Sequence, residues 1–167
     1  MDQQEILSQI LEQAGSGPQE PASHEDSCKF VFFRIGAGLY GLPADHVQEI
    51  MLDLQIHYLP FLPPYVRGLV NRLGEPVTVV DLECLFHHRR LAGRAFLILK
   101  PHISKMAFLI DEVQDILSVP VAEVGKLSAT LEGLDGFVQG MLRYRGKDVL
   151  VLDDGAVIET VKEATRA

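Results

Sequence analysis

Tryptophan is absent from the 167 residues, and cysteine is limited to Cys28 and Cys84. Two thiols this far apart, outside any CxxC spacing, argue against a disulfide-stapled fold or a Cys-based zinc site. They read as reduced structural thiols of a cytoplasmic protein. Positive charge is missing from residues 1 to 27, where Asp2, Glu5, Glu12, Glu20, Glu25 and Asp26 stand without a Lys or Arg; this segment carries -6 of the formal -8. A near-neutral body with an acidic tail does not attract phosphate backbones, so nucleic-acid binding is not expected. An acidic start is also unlike the basic run of a signal peptide, and no apolar run approaches the ~20 residues of a membrane span. Neither export nor membrane insertion is expected.

Catalytic signatures are missing too. No Ser stands in G-x-S-x-G, no Gly-rich loop ends in Lys-Ser/Thr, and no HExxH or Cys/His metal set occurs. The densest polar cluster, His87-His88-Arg89-Arg90, is a poor chelate because adjacent side chains diverge on either a helix or a strand. It reads as a solvated basic loop. No enzyme activity, cofactor or metal is expected.

What is present is a duplication. Residues 40 to 51 align without a gap on 106 to 117, placing Asp45, Val47, Gln48 and Ile50 over Asp111, Val113, Gln114 and Ile116 at an offset of 66. Tyr65 to Asp81 lie over Phe137 to Asp153 at an offset of 72, with six identities in 17 positions, against roughly one expected from ordinary composition. A duplicated supersecondary unit predicts a pseudo-symmetric body. The length suits one domain, and the duplicate divides it.

Short β runs begin at Phe30 to Ile35, turn at Gly36 to Gly38 and return over Leu39 to Leu42; Phe96 to Leu99 and Met106 to Ile110 repeat the pattern. Each returning strand enters Asp-x-Val-Gln-acid-Ile, where Asp three residues before Gln resembles a capping box and the Val/Ile spacing turns helical. Asp45 and Asp111 are therefore expected as helix N-caps rather than catalytic acids. Connectors over 52 to 64 and 118 to 136 lead into hairpins, Tyr65 to Asp81 and Phe137 to Asp153, with Gly74 and Gly146 at positive φ. Val77 to Val80 and Val149 to Leu152 are apolar at both parities, so each strand should be covered on one face by its own copy and on the other by the opposite copy. A closing helix is expected over 154 to 163. At the other end, Ile6, Leu7, Ile10 and Leu11 predict a short amphipathic helix, either a docking element or a fraying tail, before a flexible linker over 15 to 27.

Tyr40-Gly-Leu-Pro, Val47-Gln-Glu-Ile50, Pro63-Pro-Tyr-Val-Arg-Gly68, Asn71-x-x-Gly74 and Val77-Thr-Val-Val-Asp-Leu82 together resemble the CheW family of chemotaxis coupling proteins; Ile110-Asp-Glu-Val113 and Phe137-Val-Gln-Gly140 repeat the resemblance. It spans about residues 29 to 162. It implies a mainly β fold of two pseudo-symmetric five-stranded β-barrels packed together, with short helices. Residues 1 to 27 would form the tail and 28 to 167 the CheW-like domain. Within that domain the first barrel would cover about 38 to 90, and the second about 28 to 37 and 91 to 167 with the closing helix.

The implied role is a non-catalytic adaptor and scaffold in signal transduction. It would join the cytoplasmic tip of a methyl-accepting chemoreceptor to the regulatory domain of a chemotaxis-type histidine kinase, with recruitment to membrane-associated receptor arrays. The output would be flagellar or, in a parallel system, pilus-driven twitching. The alternative is a stand-alone interaction module that lacks receptor coupling and binds another kinase or localisation partner. The resemblance places partner contacts at Val47, Glu49, Arg67, Gly68, Asn71, Arg72 and Leu73. Where the family hairpin reads Asn-Leu-Arg-Gly, this sequence has Asn71-Arg72-Leu73-Gly74. Moving the Arg one place sends it toward a different side, which either alters partner choice or is neutral drift.

Overall fold

The structure, a computed structural model, describes residues 3–7, 26–127, 131 and 133–166. The first copy supplies β1 (Ser27–Ile35), β2 (Gly38–Pro43), β3 (Val47–Leu52), β4 (Val66–Arg72) and β5 (Glu75–Asp81). The second supplies β6 (Ala95–Leu99), β7 (Met106–Ile110), β8 (Glu112–Pro120), β9 (Val138–Tyr144) and β10 (Lys147–Leu152). They form two five-stranded sheets, ordered β3-β6-β7-β5-β4 (the first barrel) and β8-β1-β2-β10-β9 (the second). The offsets of 66 and 72 map one order onto the other, so the mainly β, double-barrel expectation holds.

The division of strands differs from the expected one. β2 joins the second barrel rather than the first, while β6 and β7, expected in the second, join the first. Each barrel thus borrows a hairpin from the opposite copy. The reason lies in pairing direction: β2 runs parallel to β10, and β7 parallel to β5. Parallel neighbours require a long crossover between them, which a hairpin cannot provide within its own unit.

The helices expected after Asp45 and Asp111 are absent; both segments are strands. In β3, Val47 faces Leu99 and Glu49 faces Ile98, leaving Gln48 as an extra residue. In β8, Val113 faces Phe33 and Asp115 faces Phe32, leaving Gln114 extra. One bulged residue lets Val47 and Ile50, three apart, both turn inward, and this imitates helical periodicity. Asp45 lies in a 3-10 turn, Ala44–His46, without a side-chain cap. Asp111 instead accepts the Gly36 N–H at 2.7 Å, tying β7–β8 to the β1–β2 turn.

The N-caps are Asp81 and Asp153, the last identity of the repeat. Their Oδ1 atoms accept the N–H groups of Cys84 at 3.0 Å and Ala156 at 3.1 Å, starting α1 (Leu82–His87) and α2 (Asp154–Thr165). α2 is the expected closing helix, and Val157, Ile158 and Val161 on its inner face are buried.

The apolar runs are explained by two cores. Phe30 and Phe32 of β1, Val149 and Val151 of β10, and Val119 and Leu142 fill the second barrel. The alternate residues Val31, Phe33 and Ile35, with Tyr40, Leu42 and Leu152, belong to a larger core that lines the seam, fills the first barrel and receives α2. Each fully buried Val or Leu contributes roughly 1.5 to 3 kcal/mol, so the seam is structural and not a hinge. At the N-terminus, residues 3–7 are helical; Leu7 packs on the larger core, while Gln3 and Gln4 lie beside Ile50–Leu52. The rest of that expected helix and the linker as far as residue 25 lie outside the described residues.

Candidate partner-binding surface

β3 and β4 are the outer strands of the first sheet, yet the guanidinium of Arg72 donates through Nε to Oε1 of Glu49. The pair bridges the two edges and closes the barrel. Both side chains are mostly covered, 19% and 25% exposed, so the contact is a charge-assisted bond in partly excluded water rather than a loose surface pair.

Beyond Arg72 the chain reverses over Leu73 and Gly74, both left-handed at φ 50° and 88°, the two-residue turn that matches strand twist. Asn71 Oδ1 accepts the Gly74 N–H at 2.7 Å and stiffens the turn. Leu73 is left 86% exposed at its tip. The Arg-Leu order therefore has a physical outcome: the cation turns inward to Glu49, and an apolar side chain projects in its place.

The other expected contact residues are not gathered here. Val47 is buried in the larger core. Arg67 and Gly68 lie five and four residues back along β4 from Arg72, roughly 15 Å away by strand rise. Arg67 Nη1 donates to Asp81 Oδ2 at 3.1 Å and to the Leu91 carbonyl at 3.0 Å, while the same Asp81 oxygen accepts the Leu91 N–H at 2.9 Å. Asp81 is fully buried, so this network holds α1 and the following segment against β4. Gly68 has φ 136°, and a Cβ there would stand 2.2 Å from the carbonyl oxygen of His57, which pairs with Leu69. Only glycine fits.

Beside Arg67 runs a groove of about 340 Å³ lined by Tyr58, Pro63, Pro64, Cys84, His88 and Arg90. Tyr58 is 77% exposed in the connector above it, and Phe61, at φ 65°, is wholly exposed. Burial pushes the Cys84 thiol up, Asp81 adds to the rise, and Arg67 and Arg90 oppose it. Cys28 is likewise raised by burial, with Asp45 adding to it. Both thiols are thereby held in the protonated, less nucleophilic form.

The expected solvated basic loop holds for His88, Arg89 and Arg90, which are exposed, and is corrected at His87. His87 ends α1 and contacts Glu83 at 3.1 Å, and Arg89 reaches the same carboxylate at 3.0 Å. Glu83 is only 6% exposed, so the Arg89 guanidinium compensates a buried acid that the His87 ring also contacts. Periodicity did not reveal α1; Asp81, four residues before Leu85 and matched by Asp153 before the predicted closing helix, was the available signal.

The duplicated sheets, their exchanged hairpins and the closing contact fit one family. A model of the CheW-like domain matches residues 29–162. The chain belongs to the CheW-like family. Among its relatives, the chemotaxis protein CheW of Treponema pallidum is 26% identical over 140 residues, covering 79% of this chain and 82% of that protein. The chemotaxis protein CheW of Helicobacter pylori is 20% identical over 149 residues, covering 87% and 90%. A solved structure, the scaffolding protein TtCheW from Thermoanaerobacter tengcongensis, superposes with a TM-score of 0.68 at 22% identity, covering 77% of this chain and 90% of that one, and demonstrates the shared fold. Within the CheW-like fold the Glu49–Arg72 closure and the Leu73 tip form the end of the first barrel.

Proposed function

We propose that this CheW-like protein is a non-catalytic adaptor that links a methyl-accepting chemoreceptor to the regulatory domain of a chemotaxis-type histidine kinase. The observation that carries the reading is the end of the first barrel, where a stiff turn projects Leu73 beside a barrel closed by Glu49 and Arg72. An exposed apolar side chain on a rigid turn suits docking, because little conformational entropy is lost when it is buried by a partner. Glu49, Asn71, Arg72 and Leu73 form this face, with Arg72 positioning Glu49. Val47, Arg67 and Gly68 support it through the core and β4. The seam between the barrels, packed by Val31, Phe33 and Leu152, keeps the two ends at a constant separation, which an adaptor needs to hold two partners in register.

The inward turn of Arg72 also favours a second reading, a module that binds a kinase or localisation partner and has no receptor contact. Titration calorimetry with candidate kinase regulatory domains and with receptor tip fragments separates the two. Binding of both supports the adaptor, and binding of a kinase alone supports the module. Failure to bind any kinase domain at tens of micromolar overturns both. Whether the output is flagellar or pilus-driven follows from the kinase that binds.

A further inference from the structure

The second barrel ends differently from the first, and the repeat makes the comparison position by position. In the first barrel, the space between Gln48, Arg72, Glu75 and Lys105 is only about 20 Å³, filled where Arg72 crosses to Glu49. The pseudo-equivalent space in the second barrel is about 220 Å³ and opens between the β1–β2 turn, β8 and the β9–β10 hairpin. Its lining carries Arg34, Gln114, Tyr144, Arg145 and Lys147 around residues 37–39, and no carboxylate.

Three replacements create this basin. Tyr144 stands where Arg72 stands and closes the barrel through its hydroxyl, which donates to Asp115, the counterpart of Glu49. Its ring sits edge-on to Phe32 at 5.1 Å and packs on the core of the second barrel. Arg145 replaces Leu73 on an equivalent left-handed turn and rests over the Tyr144 ring, 5.1 Å from its centroid. Lys147 replaces Glu75, reversing the charge at that position. Arg34 is aimed by three acceptors, Asp111 and Glu112 at 3.4 Å and the Gly36 carbonyl at 3.1 Å.

The three neighbouring carboxylates are themselves occupied: Asp111 accepts the Gly36 N–H, Glu112 accepts from Gln114 Nε2 at 2.7 Å, and Asp115 accepts the Tyr144 hydroxyl and the Ile116 N–H. Arg145 reaches Asp115 only at 4.0 Å, and among the described residues no carboxylate pairs with Lys147.

We propose that the basin formed by Arg34, Arg145 and Lys147 at the end of the second barrel binds a small tetrahedral oxyanion of the phosphate type. Three cations on separate strands and a turn match three separate oxygens better than the two of a carboxylate, and the Gln114 amide, which gives one N–H to Glu112 Oε1 at 2.7 Å, has its second N–H to offer as a neutral donor. The same chemistry can arrive as free phosphate or as a phosphorylated side chain.

The test is a heteronuclear NMR titration of the full chain in which inorganic phosphate replaces chloride at constant ionic strength. Saturable shifts confined to residues 37–39, Gln114 and 144–147 are expected, with binding weakened roughly tenfold or more in Lys147→Glu and in Arg145→Leu. Glu75→Lys, at the closed first-barrel end, leaves the phosphate affinity unchanged. Absence of saturable shifts, or wild-type affinity in a Lys147→Glu protein whose spectrum shows it folded, overturns the assignment. A second arm uses a short, otherwise neutral phosphoserine peptide. Tighter binding of the peptide identifies a modified side chain as the source, and equal or weaker binding identifies free phosphate.

Discussion

Glu49 and Arg72 sit on the two outermost strands of one sheet and meet, while Asp115 and Tyr144, their counterparts at offsets of 66 and 72, meet in the other. The same closure is thus made once by an ion pair and once by a phenol and a carboxylate. Removing Arg72 leaves a partly covered carboxylate without its donor, so Arg72→Leu should lower stability by about 1 to 3 kcal/mol. Urea unfolding measures this. Glu49→Gln should cost less, and the double variant less than the sum of the two, because they share one contact.

Leu73 pays strain to project. A non-glycine residue at φ 50° is disfavoured, and its side chain buries nothing within this chain. Leu73→Asn, which tolerates the left-handed region, should raise stability by roughly 0.5 kcal/mol while weakening kinase-domain binding in calorimetry by tenfold or more, the size of a buried anchor. Unchanged binding in this variant would remove Leu73 from the docking face.

Arg67 and Asp81 form a pair whose acid is fully buried. In the second copy the position of Arg67 is taken by Gln139, whose Nε2 donates to the Leu152 carbonyl at 3.4 Å. Arg67→Ala leaves Asp81 its two backbone N–H donors but removes the cation paired with its buried charge, and should cost about 3 to 5 kcal/mol, whereas Gln139→Ala should cost no more than about 1 kcal/mol. Thermal and urea unfolding of the two variants side by side tests the asymmetry. Gly68→Ala should be destabilised by several kcal/mol, since both its φ and the His57 carbonyl oppose a side chain.

Tyr40 lies in the seam, 2% exposed, and burial followed by the nearby Glu83 carboxylate pushes its phenol up to about 12. In the unfolded chain the same phenol titrates near 10, so the folded state holds the proton more tightly. Stability from this group is complete below about pH 10 and is lost as pH rises from about 10 to 12, by roughly 2 to 3 kcal/mol in all. Unfolding free energies measured between pH 8 and 11.5 should fall more steeply for the wild type than for Tyr40→Phe.

Much of the architecture was legible because the chain states it twice. The paired strands, the turns at Gly74 and Gly146, the doubly apolar strands and the closing helix all follow from composition, alternation and the repeat. Two kinds of feature were not legible. A bulge at Gln48 or Gln114 adds one residue to a period of two and so imitates a helix, and only the partner strand reveals that the residue is extra. Of the residues expected at the partner surface, Glu49, Asn71, Arg72 and Leu73 lie together at the end of the first barrel, while Val47 is buried in the larger core and Arg67 and Gly68 lie further back on β4. Spacing along a strand does not distinguish an outward side chain from one held by a buried acid.

By itself the sequence determined that two like β units share one body, and it marked where the hairpin departs from the family pattern. Tertiary structure alone decided that each unit lends its first hairpin to the other, because parallel pairing of β2 with β10 and of β7 with β5 depends on contacts between distant segments. It also decided that Arg72 turns inward to Glu49 while Arg145 stays at the rim. Both barrels offer a carboxylate across the closing edge, and the two cations stand one place apart in the repeat: Arg72 ends a strand and reaches Glu49, whereas Arg145 stands at the left-handed turn position and Tyr144 makes the contact to Asp115 in its stead.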